Sequence, residues 1–129
     1  MGIRDEAESK CKLYSYTIPM LKKLKELRYK IGLISNSTIF AIEKVRKKTN
    51  LLDLVDYPLF SFDVGVIKPD PEFFTKMLEI SGCKPEETIM IGDKLNDDVI
   101  PPKRIGMNAI HYKNYEQLKQ ELASFSVML

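Results

Sequence analysis

The chain has 129 residues, 44% apolar and 29% charged, which suits one globular domain with a core of its own and excludes a disordered tail or a disulfide-stapled miniature. A net charge of +2 is too small to argue for a nucleic-acid partner. Cys11 and Cys83 lack metal-type spacing, no apolar run reaches membrane-spanning length, and the segment Met1 to Glu8 lacks the apolar core of a signal peptide, so reduced thiols and a cytoplasmic location are expected.

In chain order the pattern alternates between helices and strands. Residues 4–14 read as a short helix with Ala7, Cys11 and Tyr14 on one face. Pro19 opens a second helix whose apolar positions Met20, Leu21, Leu24 and Leu27 have helical spacing. Ile31 to Ile34 is a compact apolar strand, Ile39 to Lys48 a helix with Ile42 and Val45 inward, and Leu51 to Tyr57 an irregular stretch. The cluster Arg46-Lys47-Lys48 reads as a solvated helix end, where cations suit the dipole. Leu59 to Phe62 is expected as a strand, and Pro71 begins a helix buried through Phe73, Phe74, Met77 and Leu78, with Gly82 as its C-cap. Then come a strand from Thr88 to Ile91, a short helix from Asp98 to Ile105, a strand from Met107 to Tyr112 and a helix from Tyr115 to Ala123. Pro101 and Pro102 are tolerable in the first turn of their helix, where amide hydrogens have no helical partner. The methionines and phenylalanines read as core. This alternation predicts an α/β, Rossmann-like three-layer sandwich around a mostly parallel sheet, filling residues 1–129 as one domain.

Three segments stand out against that frame: Leu33-Ile34-Ser35-Asn36-Ser37, Ile67-Lys68-Pro69-Asp70-Pro71, and Ile91-Gly92-Asp93-Lys94-Leu95-Asn96-Asp97-Asp98. Ligands of open α/β sheets collect at the carboxyl ends of the strands, so one sheet would gather Ser35, Lys68 and Asp93 at one rim. A hydroxyl and an ammonium suit a phosphate, and crowded carboxylates suit a hard cation such as Mg²⁺. Each residue has a plainer reading. Ser35 and Asn36 could cap the helix that follows, and Lys68 could be a surface lysine in an extended turn. Only the carboxylate cluster is costly to build without a compensating cation or donors. His111 reads as packed or half-exposed rather than catalytic, and Tyr112, Asn114 and Tyr115 as loop polarity near the site.

In this order the three segments resemble the haloacid dehalogenase superfamily of phosphohydrolases over about residues 19–123. The resemblance implies that Ser35 donates to the transferring phosphoryl group with Asn36 nearby, and that Lys68 neutralises charge on phosphate and nucleophile. It also implies that Asp93 binds Mg²⁺ and that Asp98 supports the metal or Lys68. Gly-Asp-x-x-Asn-Asp also occurs in the superfamily and would select Asp97; the longer spacing, with Val99 following, favours Asp98.

The family's nucleophile lies in an Asp-x-Asp-x-Thr motif at the end of a central strand, and no Asp-x-Asp occurs in this sequence. The expectation is therefore a truncated core without cap. Residues 1–18 would be a cap remnant or a substitute strand, with residues 12–18 or the tail 124–129 the candidates for the central slot. Phosphomonoester hydrolysis is the implied family activity, with this chain inactive alone. The alternative is a non-catalytic binding or scaffolding descendant. A receiver-type domain is disfavoured, because Asp53 and Asp56 do not end an apolar strand. An open slot in the sheet further predicts a homodimer, segment exchange through the apolar tail, or a second chain that supplies the missing motif.

Overall fold

The computed structural model describes residues 17–129 together with the backbone of Gly2 and Ile3. Five parallel strands, β1 (Gly2–Ile3), β2 (Gly32–Ser35), β3 (Tyr57–Phe60), β4 (Ile89–Gly92) and β5 (Asn108–His111), form one sheet in the order β3-β2-β1-β4-β5. The order reverses at β1, so the crevice for a ligand lies at the carboxyl ends of the strands on either side of it. The helices are α1 (Thr17–Glu26), α2 (Ile39–Lys48), α3 (Ser61–Val64), α4 (Pro71–Ser81), α5 (Ile100–Arg104) and α6 (Tyr115–Ser124).

Burial follows the two-residue period of the strands. Ile89 and Ile91 of β4 face a core shared with Leu21 and Leu24 of α1, Val45 of α2, and Leu118 and Leu122 of α6. Met90, between them, faces the opposite core with Ile34, Leu59 and the α4 residues Phe73, Phe74 and Met77. The result is the expected three-layer sandwich, with β2 and β4 buried throughout because both faces of the sheet are covered there.

The central slot departs from expectation. Gly2 lies opposite both Gly32 and Met90, and Ile3 opposite both Leu33 and Ile91, so β1 stands between β2 and β4. Thr17 and Ile18 begin α1, and residues 12–16, like the predicted helix over 4–14, lie outside the described residues. The tail does not join the sheet. It turns back under α6, burying Val127 among Leu118, Leu122 and Leu21 while Phe125 and Met128 stay exposed. The turn after α6, closed by the Val127 N–H on the Leu122 carbonyl, sets which of its residues face inward.

Smaller corrections have local causes. Leu27 falls beyond the end of α1 and is exposed. The third strand is Tyr57–Phe60, two residues earlier than expected, because Ser61 starts a single helical turn, α3. The irregular stretch contains a 3-10 turn at Leu51–Leu54. The helix expected from Asp98 is preceded by a π turn, Leu95–Val99, and starts at Ile100 with the buried Pro101 and Pro102 in its first turn. Phe40, Phe62, Phe125 and Met128 are exposed rather than core. Among the described residues no helix is long and apolar enough to cross a membrane.

Candidate active site

The carboxyl ends of β2 and β4 deliver the predicted groups to one rim. Ser35 ends β2 and is buried, and its hydroxyl is hydrogen-bonded to that of Ser37, also buried. Neither Ser35 nor Asn36 caps the helix that follows. Thr38 does, accepting from the Ala41 N–H. The plainer reading of Ser35 is thereby removed, since a different residue fills that role.

Lys68 is no surface lysine. Its Nζ lies 2.8 Å from Asp98 Oδ1, with side-chain exposures of 1% and 0%. An ion pair this dry holds only where the remaining polar atoms also find partners. Asp98 Oδ2 accepts from the Lys94 N–H at 3.1 Å, and the Asp98 N–H returns to the Lys94 carbonyl at 2.8 Å. The π turn is what brings Asp98 back over the end of β4. Gly92 permits this, because a Cβ there would overlap the Asp98 side chain. Of the two adjacent carboxylates, Asp98 therefore faces Lys68, and Asp97 is half-buried without entering that pair.

The backbone of Lys68 is held from β2. Asn36 Oδ1 accepts from the Lys68 N–H at 2.8 Å, and Asn36 Nδ2 donates to the Lys68 carbonyl at 3.3 Å. The Lys68–Pro69 peptide is cis. One residue further along, the Ser37 N–H donates to Ser61 Oγ at 3.0 Å and Ser61 Oγ donates to the Ser37 carbonyl at 3.1 Å.

Asp93 follows β4 and is half-buried. Its carbonyl accepts from His111 Nε2 at 3.0 Å, so His111 ties the ends of β4 and β5 together. His111 is thus half-buried and structural in its contact, as its sequence context suggested. Asn114 caps α6 in a reciprocal pair with Gln117, and Tyr112 and Tyr115 pack against the core.

Among the described residues no three His, Cys, Asp or Glu side chains converge on a metal position. Mg²⁺ asks for less, since it keeps several waters and takes one or two carboxylates plus the substrate phosphate. Asp93 fits that requirement. Asp98 has both oxygens on donors of this chain, so its geometry fits support of Lys68.

Sequence reasoning singled out Ser35, Lys68, Asp93 and Asp98 because each follows an apolar run or sits at a telling spacing, and the structure sets Ser35 at the end of β2, Asp93 after β4 and Lys68 against Asp98. It missed Ser37 and Ser61, which carry no spacing signal and acquire a role only when β2 and β3 lie side by side.

Comparison with known proteins places the chain in a family. A family model described as haloacid dehalogenase-like hydrolase matches residues 4–106. A glyceraldehyde 3-phosphate phosphatase of Pyrococcus furiosus is 34% identical over 109 residues, covering 82% of this chain and 45% of that protein. The chain thus spans about half the length of the curated relatives it matches. A HAD phosphatase structure from Thermococcus onnurineus superposes with a TM-score of 0.75 at 30% identity, over 90% of this chain and 62% of that one. A HAD family enzyme from Bacteroides thetaiotaomicron, solved with magnesium and inorganic phosphate, shares the fold with a TM-score of 0.73 at 23% identity, over 82% of this chain and 58% of its own. With the family model matching most of the chain, the chain belongs to the haloacid dehalogenase-like hydrolases.

Proposed function

We propose that this chain is the core portion of a Mg²⁺-dependent phosphomonoester hydrolase, holding the phosphate and metal groups of the site but not the nucleophile. The observation that carries this reading is the dry Lys68–Asp98 pair, together with the buried Ser35 at the carboxyl end of β2 in the same sheet. A buried lysine fixed at one position is a poor stabiliser and a good preorganised cation for an incoming dianion. The Ser35 hydroxyl would donate to the phosphoryl group, with the Asn36 backbone beside it. Lys68 would offset the charge on the phosphoryl oxygens while Asp98 holds its ammonium in place. Asp93 would hold Mg²⁺, which when bound supplies charge neutralisation on the phosphate. The covalent step of the family needs a carboxylate nucleophile, and the Asp-x-Asp-x-Thr motif is absent from these 129 residues. The partner that completes the site would be a polypeptide carrying that motif. The same absence favours a second reading, a non-catalytic phosphate-binding domain.

The test is titration of the chain with inorganic phosphate, with and without Mg²⁺, alongside an assay on a phosphomonoester such as glyceraldehyde 3-phosphate. The expected result is Mg²⁺-assisted phosphate binding, weakened by Asp93→Asn, with no turnover by the chain alone. Turnover of about 1–10³ s⁻¹ that Asp93→Asn abolishes would overturn the inactivity, and no phosphate binding at all would overturn the site. Restored turnover on adding a polypeptide with the missing motif would decide between the two readings in favour of the enzyme.

A further inference from the structure

Four hydrogen bonds join two consecutive residues of the β2–α2 turn to the segment between β3 and α4. Asn36 exchanges two with the Lys68 backbone, and Ser37 exchanges two with the Ser61 hydroxyl. In both cases a side chain takes the place of a strand's backbone, offering one donor and one acceptor to the N–H and C=O of a single residue. The ladder between β2 and β3 ends at the pair Ser35 and Phe60. Beyond it these two side chains continue the attachment where the chains diverge.

The attached segment carries Lys68, and the turn carries Ser35 and its hydroxyl partner Ser37. The attachment holds the Lys68 backbone on the β2 side, while the ammonium pairs with Asp98, on the far side of β1. We propose that Asn36 and Ser61 are positioning residues that act as a double latch, fixing the spacing between the Ser35 hydroxyl and the Lys68 ammonium without their side chains touching phosphate. This rests on the phosphate reading above for its purpose, though the latch has a signature of its own. A phosphate dianion spans a fixed distance between its donors, so a site with both donors preset avoids an ordering cost on binding.

The latch is tested by amide hydrogen exchange at Lys68 and by inorganic-phosphate affinity, using Ser61→Ala, Ser61→Thr and Asn36→Ala in the full chain. Ser61→Ala leaves the Asn36–Lys68 bonds in place. A latch working as a unit should nevertheless lower Lys68 amide protection and phosphate affinity by about three- to thirtyfold, the usual size of coupling within one network. Ser61→Thr retains the hydroxyl and should restore both. Asn36→Ala removes the acceptor of the Lys68 N–H, so exchange there must rise in any case, and phosphate affinity should fall with it; an unchanged affinity would overturn the role of the latch at the site. Ser61→Ala with unchanged Lys68 exchange would overturn the latch whatever the affinity does. If the unsubstituted chain binds no phosphate, the phosphate reading fails, and the exchange arm alone still decides whether the latch exists.

Discussion

Gly92 and Asp98 occupy adjoining space so closely that a Cβ on Gly92 would overlap the Cβ, Cγ and Oδ2 of Asp98. The carboxylate that fixes Lys68 therefore sits where a side chain at the end of β4 would otherwise be. Backbone freedom is not the reason for this glycine; close approach is. Gly92→Ala is expected to push the π turn outward and cost about 1–3 kcal/mol in urea unfolding, the range for overpacking a filled interior. It should also weaken phosphate binding by displacing Asp98. An unfolding midpoint equal to that of the unsubstituted chain would show that the turn yields without cost.

The Lys68–Asp98 pair separates stability from function. Removing one partner of a buried ion pair strands the other charge, so Asp98→Ala is expected to cost about 3–5 kcal/mol. Replacing both, as in Lys68→Met with Asp98→Leu, should recover most of that loss, since apolar residues of similar volume need no partner. The double variant should bind no phosphate. A double variant as unstable as Asp98→Ala would mean that the pair itself, rather than the stranded charge, holds the rim together.

How much of this was legible beforehand depended on whether the signal was local. The α2 boundaries Ile39–Lys48 were readable because an extended cap residue, an apolar stripe and a basic last turn all lie within the segment. The placement of Ser35 at the end of β2 and of Asp93 after β4 was readable because an apolar run precedes each. β1 was not, since Gly2-Ile3 has no apolar run and its place is defined by two neighbours far along the chain. The partners of Asn36 and Ser37 stand 32 and 24 positions away, a relation that no window of sequence contains. Exposed Phe40 and Phe62 failed the rule that large apolar residues are core, because both follow strand ends at the rim.

At the opposite pole, Asp56 clamps the start of β2. Its Oδ2 accepts from the Ile31 N–H at 2.8 Å and its Oδ1 from Lys25 Nζ at 2.9 Å. Burial raises its pKa, but the bonds from Lys25 and Ile31 and the charges of Lys25 and Lys30 more than offset this, leaving it below the ordinary value of 3.8. A carboxyl with a lowered folded pKa contributes stability above its unfolded pKa and loses it as pH falls through the folded one. Asp56→Asn is thus expected to cost about 1–3 kcal/mol at pH 7, with the gap to the unsubstituted chain closing below about pH 4. A gap that stays constant from pH 7 to pH 3 would assign the cost to packing instead of charge.

Three helices end in the same six-residue turn, and only one of them has the residue suited to it. The bonds Tyr29 N–H to Leu24 carbonyl, Met107 N–H to Pro102 carbonyl and Val127 N–H to Leu122 carbonyl each close a Schellman motif. The left-handed positions are Arg28 at φ 69°, Gly106 at φ 93° and Ser126 at φ 66°. A side chain in that region costs about 1–2 kcal/mol, of which glycine's greater freedom in the unfolded chain returns about 0.5–1 kcal/mol. Arg28 and Ser126 are exposed, so little packing is lost on truncation. Arg28→Gly and Ser126→Gly are each expected to stabilise the chain by about 0.5–1 kcal/mol, and Gly106→Ala to destabilise it by a similar amount. Because the Ser126 turn is what folds Val127 into the core, its glycine variant should also protect the Val127 amide from exchange. A loss of stability in both glycine variants would mean that the Arg28 and Ser126 side chains contribute more than the strained backbone costs.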